Sequence, residues 1–378
     1  MILGITPFDI LLVVLIVLLI IFIPIFIRMR INSSITRSSI ELEDMVNESK
    51  KNLKKLCIEK GSPEKDLSDD IDNFMEFFIV PPVDLDPSGL MKKYEKIMEL
   101  GEDRFNHMAN IIAPNADDEW KANISMTLKA TIAINGVAKM VKHNLELSKK
   151  TGSLQILIML QLGLPMIMRI VRAQFKGIRL FSECKPIGDG VGPLVIGILM
   201  KDVQNEDIEE IDDVIFGKSV IKDVNVILAR AKGPGARVGR IGKTVTSIME
   251  REKIKHLITI DASQKLEGEE TGSVAEGIGV VIGGAGIDKW VIEEEMIKKD
   301  LQVDAVVVKM SPEESIQQMT QIISDSAQKA IKVLETSILL SNTENKIMVL
   351  GVGNSSGIPN IVKDISKINI KQDKKKGN

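Results

Sequence analysis

Histidine is almost missing from this chain: 378 residues hold three, His107, His143 and His256. Any mechanism built on imidazole chemistry therefore has few positions to use. Cysteine is as scarce. Cys57 and Cys184 are too few for a disulfide framework and fit a reducing interior. Aromatic residues make up 3% of the chain, with a single Tyr, so stacking platforms for single-stranded nucleic acid are not expected. A net charge of −3 supplies no basic field for a polyanion either. What is abundant is aliphatic: the core must be built from Ile, Val, Leu and 18 Met. The length suffices for two or three domains.

The aliphatic residues are distributed unevenly. Residues 8–27 form a run of 20 with one charge, Asp9, which matches the ~20 residues a helix needs to cross a bilayer. No basic start or small-residue cleavage site marks it as a secretory signal. No Lys or Arg precedes it, and Arg28, Arg30 and Arg37 follow, so the positive-inside rule places the following chain in the cytoplasm. The expected organisation is a membrane anchor over 1–30, a charged helical stalk over 31–80 and a helical region over 81–180. A glycine-rich α/β domain over 181–365 and a basic tail over 366–378 follow.

In the stalk, Ile35/Leu42 and Val46/Leu53 lie seven apart, as on one helix face. Pro81-Pro82 and Asp86-Pro87-Ser88-Gly89 punctuate the chain, and Leu90 to Leu100 reads as a short helix ended by Gly101. After Asp117-Asp118-Glu119, the stripe Ala130, Ile134, Val137, Val141, Leu145 predicts a longer helix. Ser153–Val171 is apolar almost all round and fits either a second span or a buried helix. A span would put Arg169, Arg172, Lys176 and Arg179 outside the cell, so the buried helix is preferred. Farther on, Val224–Ala231, Leu257–Ile260, Val303–Val308 and Ile347–Leu350 read as buried strands. Helices after Pro193, over Thr244–Glu252 and from Ser311 onward separate them. Ser311-Pro312-Glu313-Glu314 supplies an N-cap, a first-turn proline and a capping-box glutamate. This alternation predicts a mainly parallel sheet covered on both faces.

Ligands gather at the carboxyl ends of such strands, and four loops fall there. The first is the turn Gly188-Asp189-Gly190-Val191-Gly192, ahead of Pro193 at a helix start. The second is Asp261, at the end of Leu257–Ile260, whose alternative role is to cap the next segment. Two close carboxylates can hold a hard cation or split their pKa values for acid–base work. The third loop carries Lys232, Gly233, Gly235, Arg237, Arg240 and Lys243. It lacks the glycine a phosphate loop needs five residues before Gly242, where Arg237 stands. It reads either as a nest for a small anion or as an exposed basic turn. The fourth holds Gly351, Gly353 and Asn354; too little chain follows for a dinucleotide fold. The run Gly277–Gly286 reads as a tight turn, and Cys184 as a small buried hydrophobe.

Pro186–Leu194, Ala231–Arg240 and Asp261–Glu269 resemble segments of an uncharacterised archaeal family of single-span membrane proteins. A second resemblance covers part of the chain. Gly188–Leu194, Ile260-Asp261-Ala262, Thr271–Val274 and Gly284–Lys289 look like the hydrogenase-maturation and spore-germination peptidase group. In that group two acids meet at the carboxyl edge of a sheet, and in the hydrogenase branch they bind metal together with a histidine. The group places a Val-Leu-Gly-x-Gly-Asn strand end just before its first acid. Here Val349–Asn354 supplies it at the other end of the chain, which implies a permuted sheet with that strand beside Asp189. His256 begins the strand that Asp261 ends and should lie at the opposite edge. Glu267, Glu269 or Glu276 would then be the third ligand of a divalent cation such as Mg²⁺. The resemblance implies a membrane-anchored hydrolase acting through Asp189 and Asp261, with a peptide as one substrate class. The alternative is a sensor or scaffold that binds a small anion or nucleotide without turnover.

Overall fold

The computed structural model describes residues 7–81, 84–85, 88–284, 286–341 and 346–372. Pro82, Asp86-Pro87, Ala285 and the end of the lysine-rich tail from 373 onward lie outside the described residues. The chain opens with α1 (Pro7–Gly61), in which the apolar stretch and the charged stalk are one helix. Side chains from Ile10 to Ile27 are exposed, and this part of α1 is long and apolar enough to cross a membrane. Helices α2 (Ser68–Phe74), α3 (Leu90–Ile112), α4 (Asp118–Thr151) and α5 (Leu154–Ser182) follow. Asp117 caps α4, accepting the Trp120 N–H at 2.8 Å.

Two compact units can be separated. One takes α1 up to Glu48 together with Ala133–Arg172. Buried in it are Ile35, Leu42 and Val46 of α1, Ile134, Val141 and Leu145 of α4, and Leu157, Leu164 and Met168 of α5. The seven-residue spacing in the stalk thus marks a buried face. Lys142–Glu43 (2.8 Å) and Arg172–Glu41 (2.6 and 2.8 Å) tie the helices on the outside. Helix α5 departs from expectation: one face is buried, but the opposite face is apolar and exposed, so the helix is half covered rather than central.

The other unit takes Ser49–Ile132 and everything after Ala173. Its helical part has a small core in which Phe74, Phe77 and Phe105 pack with ring centroids 5.0–5.6 Å apart. Here α3 runs through Gly101 instead of stopping there. Ile79 lies where a Gly101 side chain would begin, so the glycine serves close packing and not termination.

Its α/β part contains α6 (Val191–Leu199), β1 (Glu209–Ile211), β2 (Val214–Ile221), β3 (Val224–Ala231) and α7 (Ile241–Glu252). Then come β4 (His256–Gln264), β5 (Val274–Ile278), α8 (Ile287–Lys299), β6 (Gln302–Met310), α9 (Pro312–Ile316), α10 (Gln321–Leu340) and β7 (Ile347–Gly351). The sheet order is β1-β2-β3-β7-β4-β6-β5. Only the inner strands β3, β7, β4 and β6 are parallel; β1, β2 and β5 join antiparallel. The expected mainly parallel sheet is therefore a mixed one. β1, β2 and β3 are joined by two hairpins, which need no crossover helix, whereas α8 lies between the antiparallel partners β5 and β6. Inner strands are buried on both faces: Leu228, Ile258 and Val349 meet α6 and α10, while Ala229, Leu257 and Met348 meet α7 and α8.

The helix expected from Ser311 is interrupted. Ser311 accepts the Glu314 N–H and Glu314 accepts the Ser311 N–H, which completes the capping box of α9. The chain then leaves the helix so that 317–319 can pair with the Asp189 turn. Gly188 donates to Gln317 O (3.0 Å) and Met319 donates to Pro186 O (2.9 Å). Thr320 starts α10 as a new cap. A Ser311→Ala change should cost about 1 kcal/mol of stability. Thermal unfolding checks this, and an unchanged midpoint would mean that the box is decorative.

A buried arginine fastens this part of the fold. Arg230, at the end of β3, is completely buried. It donates to Ala231 O and Pro193 O at 2.9 Å, Pro359 O at 2.9 Å and Ile358 O at 3.0 Å. One guanidinium thus joins β3, the first turn of α6 and the segment after β7.

Candidate functional site

Strand β7 is short, and its length creates the site. Its last pairing with β4 is Gly351 opposite Ile260, whereas β4 continues beside β6 to Gln264. After one more bond, Val352 N–H to Ile260 O at 2.8 Å, the chain turns away. Asp261 is the first residue of β4 beyond that notch. The Asp189 turn settles over the same notch because Gly192 has no side chain: a Cβ there would overlap Val352 O and Ile260 O. Gly353, at φ +126°, lies directly against the Asp189 backbone.

The two expected acids are thus brought together. Asp189 accepts the Asn354 N–H on Oδ2 at 2.9 Å. Asp261, 2% exposed, accepts the Ala262 N–H on Oδ1 at 2.6 Å and the Gly283 N–H on Oδ2 at 3.1 Å. Burial raises the Asp189 carboxyl above the ordinary range, against the Asn354 N–H, which lowers it. Asp261 is pushed up to about 8, first by burial and then by the Asp189 charge, with its two backbone donors opposing. Burial favours the neutral form of both carboxyls, and the Asp189 charge adds to this at Asp261. Both face a cavity of about 640 Å³. Glu99 and Glu102 of α3, Ser125 and Lys129 of α4, and Asp288 of α8 line its other walls.

Of the glycines flanking the acids, Gly188 packs on Glu314 O and Gly190 on Asn354 O, while Gly351 receives the backbone of Gly192. Asn354 also folds its own turn, its Oδ1 accepting the Ser356 N–H at 2.9 Å. The basic loop lies on the same cavity, but its cations face carboxylates of this chain. Arg237 pairs with Glu119 (2.6 Å) and Asp213 (3.0 Å), and Lys232 with Glu210 (2.9 Å). Lys243 pairs with Glu99 (3.2 Å), and Arg240 with Asp103. The backbone donors are occupied too. Gly235 N–H points at Glu119 Oε2 (2.5 Å), Ala236 N–H at Asn123 Oδ1 (2.7 Å) and Gly233 N–H at Asn360 Oδ1 (2.8 Å). The loop's backbone donors thus diverge onto three side chains of this chain, of which Glu119 is the one carboxylate.

Sequence reading missed three contributors. Gly283 belongs to the glycine run taken for a tight turn, yet it donates to Asp261. Asp288 caps α7 by accepting the Gly242 N–H at 2.7 Å; burial raises its pKa, and Glu102 adds to the rise. Glu119 lies more than a hundred residues before the loop it fills, and no spacing rule connects them.

The hydrogenase branch of the resemblance implies a metal held with a histidine, and these residues do not fit one. His256 is buried at the start of β4, its Nε2 2.6 Å from Asp304 Oδ2, at the edge opposite Asp261 as expected. Glu269 is tied to Lys309, Glu276 accepts the Ser337 hydroxyl at 2.6 Å, and Glu267 is exposed beyond β4. Among the described residues no cluster of three or more His, Cys, Asp and Glu converges. Two carboxyls alone do not supply the nitrogen and sulfur donors of nickel or zinc centres. Cys184 gives its Sγ to Pro234 O at 3.4 Å, a packing role.

No curated protein matches the chain. Two family descriptions do: residues 9–184 match the N-terminal domain of a protein of unknown function (DUF1512), and residues 187–359 match the DUF1512 C-terminal domain. The seam between them falls just before the Asp189 turn. With both halves present in order, the chain belongs to the DUF1512 family.

Proposed function

We propose that this protein is a membrane-anchored hydrolase whose Asp189–Asp261 pair cleaves a carbonyl-centred bond, with peptides as the substrate class. The observation that carries the reading is the pairing itself: two carboxyls from distant segments meet on one cavity, close enough for the Asp189 charge to act on Asp261. The charged member takes a proton from water as the water oxygen bonds to the scissile carbonyl carbon. The protonated member donates to the carbonyl oxygen. Collapse breaks the carbon–nitrogen bond: the proton taken from water passes to the leaving amine, and one hydroxyl proton of the diol returns to the carboxylate that had donated, restoring both acids. The peptidase resemblance supports the reading, since the Val349–Asn354 segment ends beside Asp189, as a permuted sheet requires. Residues 8–27 are the anchor, and Arg28, Arg30 and Arg37 argue for a cytoplasmic catalytic domain. The alternative, an anion or nucleotide sensor at the basic loop, is less favoured because Glu119 already engages Gly235 and Arg237.

The test uses the full chain in detergent with a peptide mixture from digested whole-cell protein, counting new N-termini by mass spectrometry. Asp189→Asn and Asp261→Asn should each reduce cleavage by roughly 10²–10⁴-fold, and EDTA should leave it unchanged. Identical termini from the double variant would sink the reading, and EDTA sensitivity would return it to a metal site.

A further inference from the structure

We propose that α5 carries a self-association face, on which Leu154, Ile158, Met159, Leu162 and Met166 pack against the same residues of a second copy in the same membrane. The inference rests on the anchor reading of residues 8–27. Helix α5 buries Leu157, Leu164, Met168 and Val171 inside its unit, yet its opposite face is not polar. Met159 is 66%, Leu162 76% and Met166 60% exposed. Steps of three and four residues separate these three, the spacing of a helix–helix seam. The stripe exposes roughly 500 Å² of mostly apolar surface, the scale of the largest and often functional patch on a monomer.

The tether identifies the partner. The Arg28 guanidinium, at the end of the apolar run, lies 3.9 Å from where a Gly152 side chain would begin, just before α5 starts. The Arg172–Glu41 pair then joins α5 to α1 farther along. Helix α5 therefore climbs beside α1 away from the membrane exit. Helix α5 is long and apolar enough to be a candidate span itself. With residues 8–27 in the bilayer, however, its stripe, about 18 Å long, lies beside the part of α1 beyond Arg28, outside the hydrocarbon. What covers it must be protein held at that height. Every copy of this chain carries the same stripe at the same height and in the same direction, which sets parallel, in-register pairing. The area is below the ~800 Å² per partner usual for a stable soluble complex. Confinement to one membrane raises the effective concentration enough to compensate.

The experiment places the full chain in phosphatidylcholine–phosphatidylglycerol vesicles, first washed with alkaline carbonate, then oxidised with copper–phenanthroline. Leu162→Cys should give disulfide-linked dimer at several times the yield of Met140→Cys, an exposed control on α4. Adding Met159→Asp to Leu162→Cys should remove that excess. Equal yields at both positions, or no dimer from a chain retained after the wash, would overturn the seam while leaving the anchor intact. Release by the wash would overturn the anchor and the seam together. A Leu162→Trp variant quenched by brominated lipid would show lipid over the stripe and also overturn the proposal.

Discussion

Arg230→Met lowers the stability of the α/β domain by about 4 kcal/mol in the expected result. Four backbone carbonyl oxygens, of Ala231, Pro193, Pro359 and Ile358, lose their donor together. Each unsatisfied buried acceptor costs about 1 kcal/mol or more. Replacing a buried ion pair with apolar residues is often neutral, because both partners leave at once. Here the partners are main chain and cannot be replaced, so the cost stays. Burial pulls the Arg230 pKa down to about 9, which leaves the guanidinium charged at neutral pH. Methionine is shorter than arginine and lacks the planar guanidinium, so the vacated space adds to the loss. Thermal unfolding in detergent should show the midpoint falling by about 10 °C. Arg230→Lys should fall between, since one ammonium cannot reach all four oxygens. A shift under 2 °C for the methionine variant would mean that water or a small movement satisfies the carbonyls.

The second large effect is a pH dependence. The folded-state pKa of Asp261 is raised to about 8 from an unfolded value of 3.8. Between those values the folded chain keeps a proton that the unfolded chain releases. Stability from this pair is therefore greatest below pH 4, falls as pH rises towards 8 and is level above that. The full swing is on the order of 5 kcal/mol. Asp261→Asn removes the titration, so its advantage over the native protein should grow from pH 4 to pH 8. Asparagine still accepts the Ala262 N–H but sets an amide against Gly283, at a cost of about 1 kcal/mol. The difference curve between the two proteins isolates this pair from surface carboxylates such as Glu99 and Glu252, which are lowered by cations and slope the other way. Parallel stability curves would show that the pair does not hold a proton.

Sequence patterning revealed the strands that are buried on both faces. β3, β4, β6 and β7 are continuous apolar runs, and such runs need no partner to be recognised. β2 escaped because its hairpin turns lack the usual glycine. Asp212-Asp213 and Lys222-Asp223 all take positive φ, and side chains there give little warning of a two-residue turn. β5, exposed at the sheet edge, is too short and too polar to stand out. The site divides along the same line. Asp189 and Asp261 were legible because glycine and strand-end position flag a carboxyl locally. The occupant of the basic loop was not, because only the fold brings Glu119 of α4 to Gly235 and Arg237. The break before α10 was hidden as well: nothing in Gln317–Thr320 reports that the Asp189 turn needs a backbone partner there.

The place of β7 governs the order in which the molecule can be built. Of the seven strands among the described residues, β7 comes latest in the sequence, yet it is hydrogen-bonded between β3 and β4, in the middle of the sheet. Until residues 347–351 emerge, β3 and β4 have no parallel neighbour on those sides, and two apolar strand edges stay open during synthesis. Late, long-range pairing of this kind is slow and leaves nascent chains prone to aggregation. Pairing of β7 therefore gates both the sheet and the acid pair. Val352 is bonded to Ile260 and Asn354 to Asp189, so the two acids come together no earlier than the chain beyond β7 is in place.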